Sequence, residues 1–104
     1  MEYKVLVTGG SRGIGYEIVK LYENRGYTVY NPTRQELDLS DRCSVEDYIN
    51  NNQDLGINII INNAGINHIN FLDKLKENEI YEMIEVNLFS ALRLIRGFSP
   101  YMKD

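Results

Sequence analysis

The 104-residue chain has a net charge of −4 and a pI near 5.0, with 43% hydrophobic and 25% charged residues. That mix excludes wholesale disorder, and the acidic balance excludes broad electrostatic attraction to nucleic acid or an anionic membrane. A folded chain of 12.1 kDa should expose roughly 6,000 Å² of the ~17,500 Å² of its extended form, room for one modest core and one domain over residues 1–104.

Residues 3–8 (YKVLVT) form a short β-branched run ending at a glycine cluster, which predicts a strand. Ile14, Ile18, Leu21 and Tyr22 then recur at helical spacing over residues 14–25, with Gly26 as the stop. A second strand is predicted over residues 27–31, closed by Pro32, and a very short third over residues 37–39. Ser44 with Asp47 reads as a capping box opening a helix to about residue 52. Residues 57–61 (INIII) are nearly continuous apolar, the pattern of a strand covered on both faces. A long helix is predicted over residues 78–98, with Pro100 just beyond it. This alternation predicts an α/β fold, a parallel sheet with helices on both faces. The single Cys43 cannot form an internal disulfide, which favours a reducing compartment. With no apolar run near the ~20 residues that span a bilayer and no secretion-signal layout, a cytoplasmic protein is expected. One His and one Cys give no expectation of a metal site.

The segment between the first strand and the first helix, Thr8-Gly9-Gly10-Ser11-Arg12-Gly13-Ile14-Gly15, has a physical use. Glycines let backbone N–H groups approach a ligand, and a helix N-terminus carries roughly half a positive charge, which suits a pyrophosphate. Its spacing is G-x-x-x-G-x-G, not the common G-x-G-x-x-G. A plain tight strand–helix turn is the alternative.

Three motifs together carry a resemblance. Residues 8–15 match T-G-x-x-x-G-x-G, Asn62-Asn63-Ala64-Gly65 follows the apolar strand, and Asn87 sits within Glu85-Val86-Asn87-Leu88 on the long helix. In this order and spacing the chain resembles the cofactor-binding half of the short-chain dehydrogenase/reductase family. The resemblance implies a half-sized Rossmann sheet of order 3-2-1-4, with a shortened link over residues 31–37, and a chain truncated at its C-terminus relative to the family. It implies a nicotinamide dinucleotide cofactor and carbonyl/alcohol hydride transfer. Gly9, Ser11, Arg12, Gly13, Ile14 and Gly15 would form the phosphate loop. Asp38 would accept from the adenine amino group, Leu39 would flank the ring, and Asn62, Ala64 and Gly65 would line the adenosine side. Asn63 would brace the sheet. Asn87, placed on one helix face with Ile80, Met83, Ile84, Ala91, Leu94 and Phe98, is expected as a buried amide supporting a proton relay.

The family's catalytic Ser and Tyr-x-x-x-Lys have no counterpart here. Tyr101 and Lys103 are two apart, and Tyr16 with Lys20 reads as an i,i+4 surface pair. His68 is expected as a solvated loop residue and Cys43 as inert. A non-catalytic nucleotide-binding or interaction module is therefore the alternative to an oxidoreductase. Residues 30–34 (YNPTR) carry no acid at the end of the second strand; such an acid would select NAD. Arg12 and Arg34 could clamp a 2′-phosphate, so NADP(H) is favoured, while Glu36 keeps NAD(H) open. Tyr81, Phe89 and Leu92 on the helix over residues 78–98 lead to an expected homo-oligomer.

Overall fold

The computed structural model describes residues 3–66, 68 and 71–102. Strand β1 runs Lys4–Val7, helix α1 Gly13–Asn24, β2 Thr28–Tyr30, α2 Arg42–Asn51, β3 Ile59–Ile61, α3 Glu77–Ile84 and α4 Ser90–Phe98. Val5 stands opposite Val29 of β2 on one side and opposite Ile59 of β3 on the other, both pairings parallel. The sheet order is β2-β1-β3.

Alternation along β1 distributes the core. Val5, Leu6 and Val7 are all fully buried, and successive side chains of a strand point to opposite faces. Val5 and Val7 pack with Val19 of α1. Leu6 faces the other way, onto Val45 and Ile49 of α2 and Leu94 and Phe98 of α4. Helices therefore cover both faces of a parallel Rossmann-like sheet, as expected.

Residues 37–39 do not form a strand. The Glu36 and Leu37 amides both donate to the Thr33 carbonyl, at 3.0 and 2.8 Å, and Asp41 donates to Asp38 at 3.1 Å. These turns engage backbone groups that a ladder would need, while Leu37 still reaches the core at 5% exposure. The outer strand of the expected 3-2-1-4 order is thus absent, and the remaining 2-1-4 order is the one seen among the described residues. Helix α2 begins earlier than the expected capping box: Asp41 is the cap, accepting from the Cys43 amide at 2.9 Å. Ser44 instead accepts from the Asp38 amide at 2.9 Å.

The long helix is not continuous. Between α3 and α4 lies one π-helical turn, Glu85–Phe89, in which the Ser90 amide reaches back to the Glu85 carbonyl. The wider turn resets the faces. Val86, Ser90, Leu94 and Phe98 point into the core at 7% exposure or less, whereas Ile84 is 39% exposed. Asn87, expected to be buried beside Ile80 and Ile84, is exposed. Straight 100° counting fails here because the turn holds one extra residue.

Accessible surface totals 7170 Å², above the expected value. The molecule is elongated, 51 × 27 × 23 Å, and the helix leaves Leu88, Phe89, Leu92 and Ile95 exposed. Among the described residues, no helix is long and apolar enough to cross a membrane.

Candidate functional site

A cleft of about 490 Å³ opens at the carboxyl ends of all three strands. This is the switch point where the chain leaves β1 toward β2 on one side and β3 lies on the other, the usual ligand crevice of open α/β sheets. One wall follows β1 (Gly9, Gly10, Ser11, Arg12), one follows β2 (Pro32, Thr33, Arg34 and the Leu37–Ser40 turn), and one follows β3 (Asn63 to Ile66). Glu82 and Val86 close the end nearest α3.

The glycine loop is shaped by close packing. A Cβ on Gly9, where φ is +67°, would come within 2.9 Å of the Ala64 Cα, so the first and third walls touch backbone to backbone. Gly13 differs: its φ is +62° with nothing within 4 Å of a Cβ, so the residue serves the turn. Asn63 Nδ2 donates to the Gly9 carbonyl at 3.1 Å. Thr8, 3% exposed, donates its amide to Ile61 at 3.1 Å and accepts from the Ala64 amide at 3.1 Å. These bonds hold the tips of β1 and β3 in register.

On the second wall, Asp38 Oδ1 accepts from the Ser40 amide at 3.0 Å and from the Ser40 hydroxyl at 2.6 Å. The Ser40 hydroxyl is the main cause holding the Asp38 carboxyl below its usual range; burial opposes it, and the Ser40 amide and Arg34 charge assist. Arg34 Nε lies 3.9 Å from Asp38 Oδ1, and its side chain is 82% exposed. Glu36 turns away, accepting from the Thr33 amide at 2.9 Å; that bond holds its carboxyl low, and it does not line the cleft. Ser90, fully buried, donates to the Leu39 carbonyl and ties this wall to α4.

Of the sequence-predicted residues, Gly9, Ser11, Arg12, Arg34, Asp38, Leu39, Ala64 and Gly65 come together in the cleft. Gly13, Ile14, Gly15 and Asn62 do not line it. Gly15 lies beneath the loop, where a Cβ would meet the Gly9 carbonyl oxygen at 2.1 Å, and Ile14 is 76% exposed at the start of α1. Asn87 stands behind the third wall, its Oδ1 accepting from the Ile66 amide at 2.8 Å and its Nδ2 donating to the Ile66 carbonyl at 2.7 Å. His68 departs from the solvated expectation: its ring contacts Glu79 and Glu82 of α3. Tyr16 and Lys20 form the expected surface pair on α1, with the ammonium 5.2 Å from the ring centroid. Cys43 is free and exposed; Lys103 lies outside the described residues. Sequence reasoning missed Thr33, Ser40, Ile66, Glu82 and Val86. The first two follow β2 and were findable from the carboxyl-end rule.

The arrangement fits a dinucleotide: a glycine cradle that side chains would fill, two arginines beside it, and the Asp38 carboxylate at the far end. A family profile described as short chain dehydrogenase matches residues 33–104. An uncharacterized oxidoreductase of Saccharomyces cerevisiae is 35% identical over 95% of this chain and 38% of its own length. The 3-oxoacyl-[acyl-carrier-protein] reductase of Salmonella typhimurium is 34% identical over 88% of this chain and 46% of its own. An alcohol dehydrogenase of the archaeon Thermococcus sibiricus, solved with 5-hydroxy-NADP, superposes with a TM-score of 0.77 at 26% identity, over 97% of this chain and 53% of that one. The chain thus spans half or less of the curated relatives' length, and with the cleft and all three motifs in place it belongs to the short chain dehydrogenase family.

Proposed function

We propose that residues 1–104 form the dinucleotide-binding domain of a short-chain oxidoreductase acting on a carbonyl/alcohol pair, with NADP(H) favoured over NAD(H). The observation that carries this reading is the cleft itself, which Arg12 lines from the first wall and Arg34 from the second, with no acid in residues 31–35 directly after β2 and Glu36 engaged by Thr33. Two guanidinium groups match a 2′-phosphate through charge-assisted bonds. Solved structures of this fold hold an NADP derivative in one case and NAD or NADH in others, so the choice of NADP(H) rests on the two arginines.

The dinucleotide, when bound, supplies or accepts the hydride. The chain's own residues bind and orient. Gly9, Ser11, Gly13, Ile14 and Gly15 shape the phosphate loop, Asp38 and Leu39 receive the adenine, and Asn62, Ala64 and Gly65 line the adenosine side. Asn87 contributes to the proton relay by holding the Ile66 loop, since both ends of its amide are engaged there. A cytoplasmic site of action fits the free Cys43. Self-association through the exposed helix around Phe89 and Leu92 completes the reading.

A non-catalytic binding module is the second reading, favoured by one observation: the only Tyr-x-x-x-Lys spacing in the sequence, Tyr16 to Lys20, is a surface pair on α1. Titration calorimetry with NADPH, NADH and free phosphate tests the proposal. NADPH should bind more tightly than NADH, and Arg34→Ala should weaken NADPH about tenfold, the equivalent of one charge-assisted bond, with NADH little changed. Equal affinities, or tighter NADH, would end the NADP assignment. No ketone reduction is expected from the 104-residue chain; robust turnover would show that the active site has been misplaced.

A further inference from the structure

The turn that presents Asp38 and Leu39 to the cleft pairs with no strand among the described residues. Its backbone groups therefore need other partners, and side chains of two separate helices supply them. The Asp38 amide donates to Ser44 Oγ of α2 at 2.9 Å. The Leu39 carbonyl accepts from Ser90 Oγ of α4. Ser40 acts only within the turn, its amide and hydroxyl both donating to Asp38 Oδ1.

Both serines are placed for this contact rather than for their own helices. Asp41 already caps α2 by accepting from the Cys43 amide, which leaves the half-buried Ser44 hydroxyl to Asp38. Ser90 opens α4 directly after the π turn and is fully buried, on the same face as Val86 and Leu94. A buried hydroxyl destabilises a fold unless it is bonded. A small apolar residue would fit that core position without the demand, so what the Ser90 hydroxyl contributes is its bond to Leu39.

We infer that Ser44 and Ser90 are positioning residues for base recognition. They grip the Asp38-Leu39 backbone from two helices, fix where the Asp38 carboxylate stands, and so set a preference for adenine over a 6-oxo purine. The inference rests on the reading that Asp38 and Leu39 receive the adenine. A carboxylate accepts from the exocyclic amino group of adenine, whereas hypoxanthine presents a carbonyl oxygen at that place. Discrimination of this kind needs the accepting oxygen held within roughly 0.5 Å of its productive position. Ser40 fixes the carboxylate relative to its own turn; Ser44 and Ser90 fix the turn relative to the sheet and its helices.

Competition binding of NADPH and its hypoxanthine analogue, deamino-NADPH, to the full chain reads this role. The wild type should prefer NADPH about tenfold, the equivalent of one charge-assisted hydrogen bond. In Ser44→Ala the preference should fall to about threefold or less, and Ser44→Thr, which keeps the hydroxyl, should retain the wild-type value. Ser90→Ala should act in the same direction as Ser44→Ala. Both nucleotides compete for one folded population, so a loss of stability alone leaves the ratio unmoved. Ser99→Ala, which removes a hydroxyl bonded to the Ile95 carbonyl, should leave it unmoved too. A wild-type ratio in Ser44→Ala overturns the inference. A wild-type chain that binds both nucleotides alike, or neither, instead ends the adenine reading and any role in base choice with it. Amide exchange tells the two failures apart: the Asp38 amide should exchange faster in Ser44→Ala whatever the chain binds, and unchanged exchange overturns the grip itself.

Discussion

Gly15 tolerates no side chain. A Cβ there would meet the Gly9 carbonyl oxygen at 2.1 Å and Asn63 Nδ2 at 2.4 Å, the two atoms that hydrogen-bond each other across the loop. Gly15→Ala should cost about 1–3 kcal/mol, read by urea unfolding, and should abolish dinucleotide affinity; a variant that keeps both would show the loop can yield. Asp38 carries a pH signature. Its carboxyl is held low first by the Ser40 hydroxyl, against burial, with the Ser40 amide and Arg34 also lowering it. A carboxyl lowered on folding contributes stability that is present above the unfolded value of about 3.9 and is lost as pH falls through the folded value. Between pH 5 and pH 2, the stability of Asp38→Asn should therefore fall less steeply than that of the wild type. At this scale the sequence was informative where a motif fixes backbone, as at Gly9 and Ala64. It was silent on Glu82 and His68, whose meeting depends on how the loop after β3 lies on α3.

The π turn at Glu85–Phe89 is the element that sequence periodicity could not supply. One extra residue lets Val86 face the core while its neighbour Asn87 faces Ile66. A uniform 3.6-residue repeat assigns Asn87 to the buried face because nothing in the letters marks where the ladder widens. The pattern of Val86, Ser90, Leu94 and Phe98 at every fourth position was the available clue. Asn87→Ala removes both hydrogen bonds to Ile66 and leaves that amide and carbonyl to water. A loss of about 1–3 kcal/mol is expected, with the largest increases in hydrogen exchange at Gly65 and Ile66; a change confined to α4 would contradict it. The missing third strand has a similar origin. Residues 37–39 have strand composition, but the turns at Thr33 and Asp38 engage the backbone first.

Across the whole molecule, fold class was legible because β1 alternates onto two helical layers, and that pattern survives errors of a residue or two at each end. The surface was less so. Phe89 is 45% and Leu92 52% exposed, and Ile84, Leu88 and Ile95 add to the same helix, more apolar surface than a solvent-facing helix usually carries. Arg93 partly shields Phe89, its guanidinium 5.6 Å from the ring centroid. A self-associated species is expected in sedimentation at micromolar concentration, and Phe89→Asp should shift it toward 12 kDa; a monodisperse monomer unchanged by that substitution would remove the proposed contact.

The walls of the cleft come from the ends of three strands that meet only when β1 has paired on both sides. An unfolded or half-paired chain therefore offers a ligand no complete site. Whatever binds all three walls acts by mass action on the folding equilibrium, adding about 2.7 kcal/mol at a hundred times its dissociation constant. For a marginal protein of this size that is a large share of its total stability, so occupancy of the cleft decides how long the chain survives proteolysis.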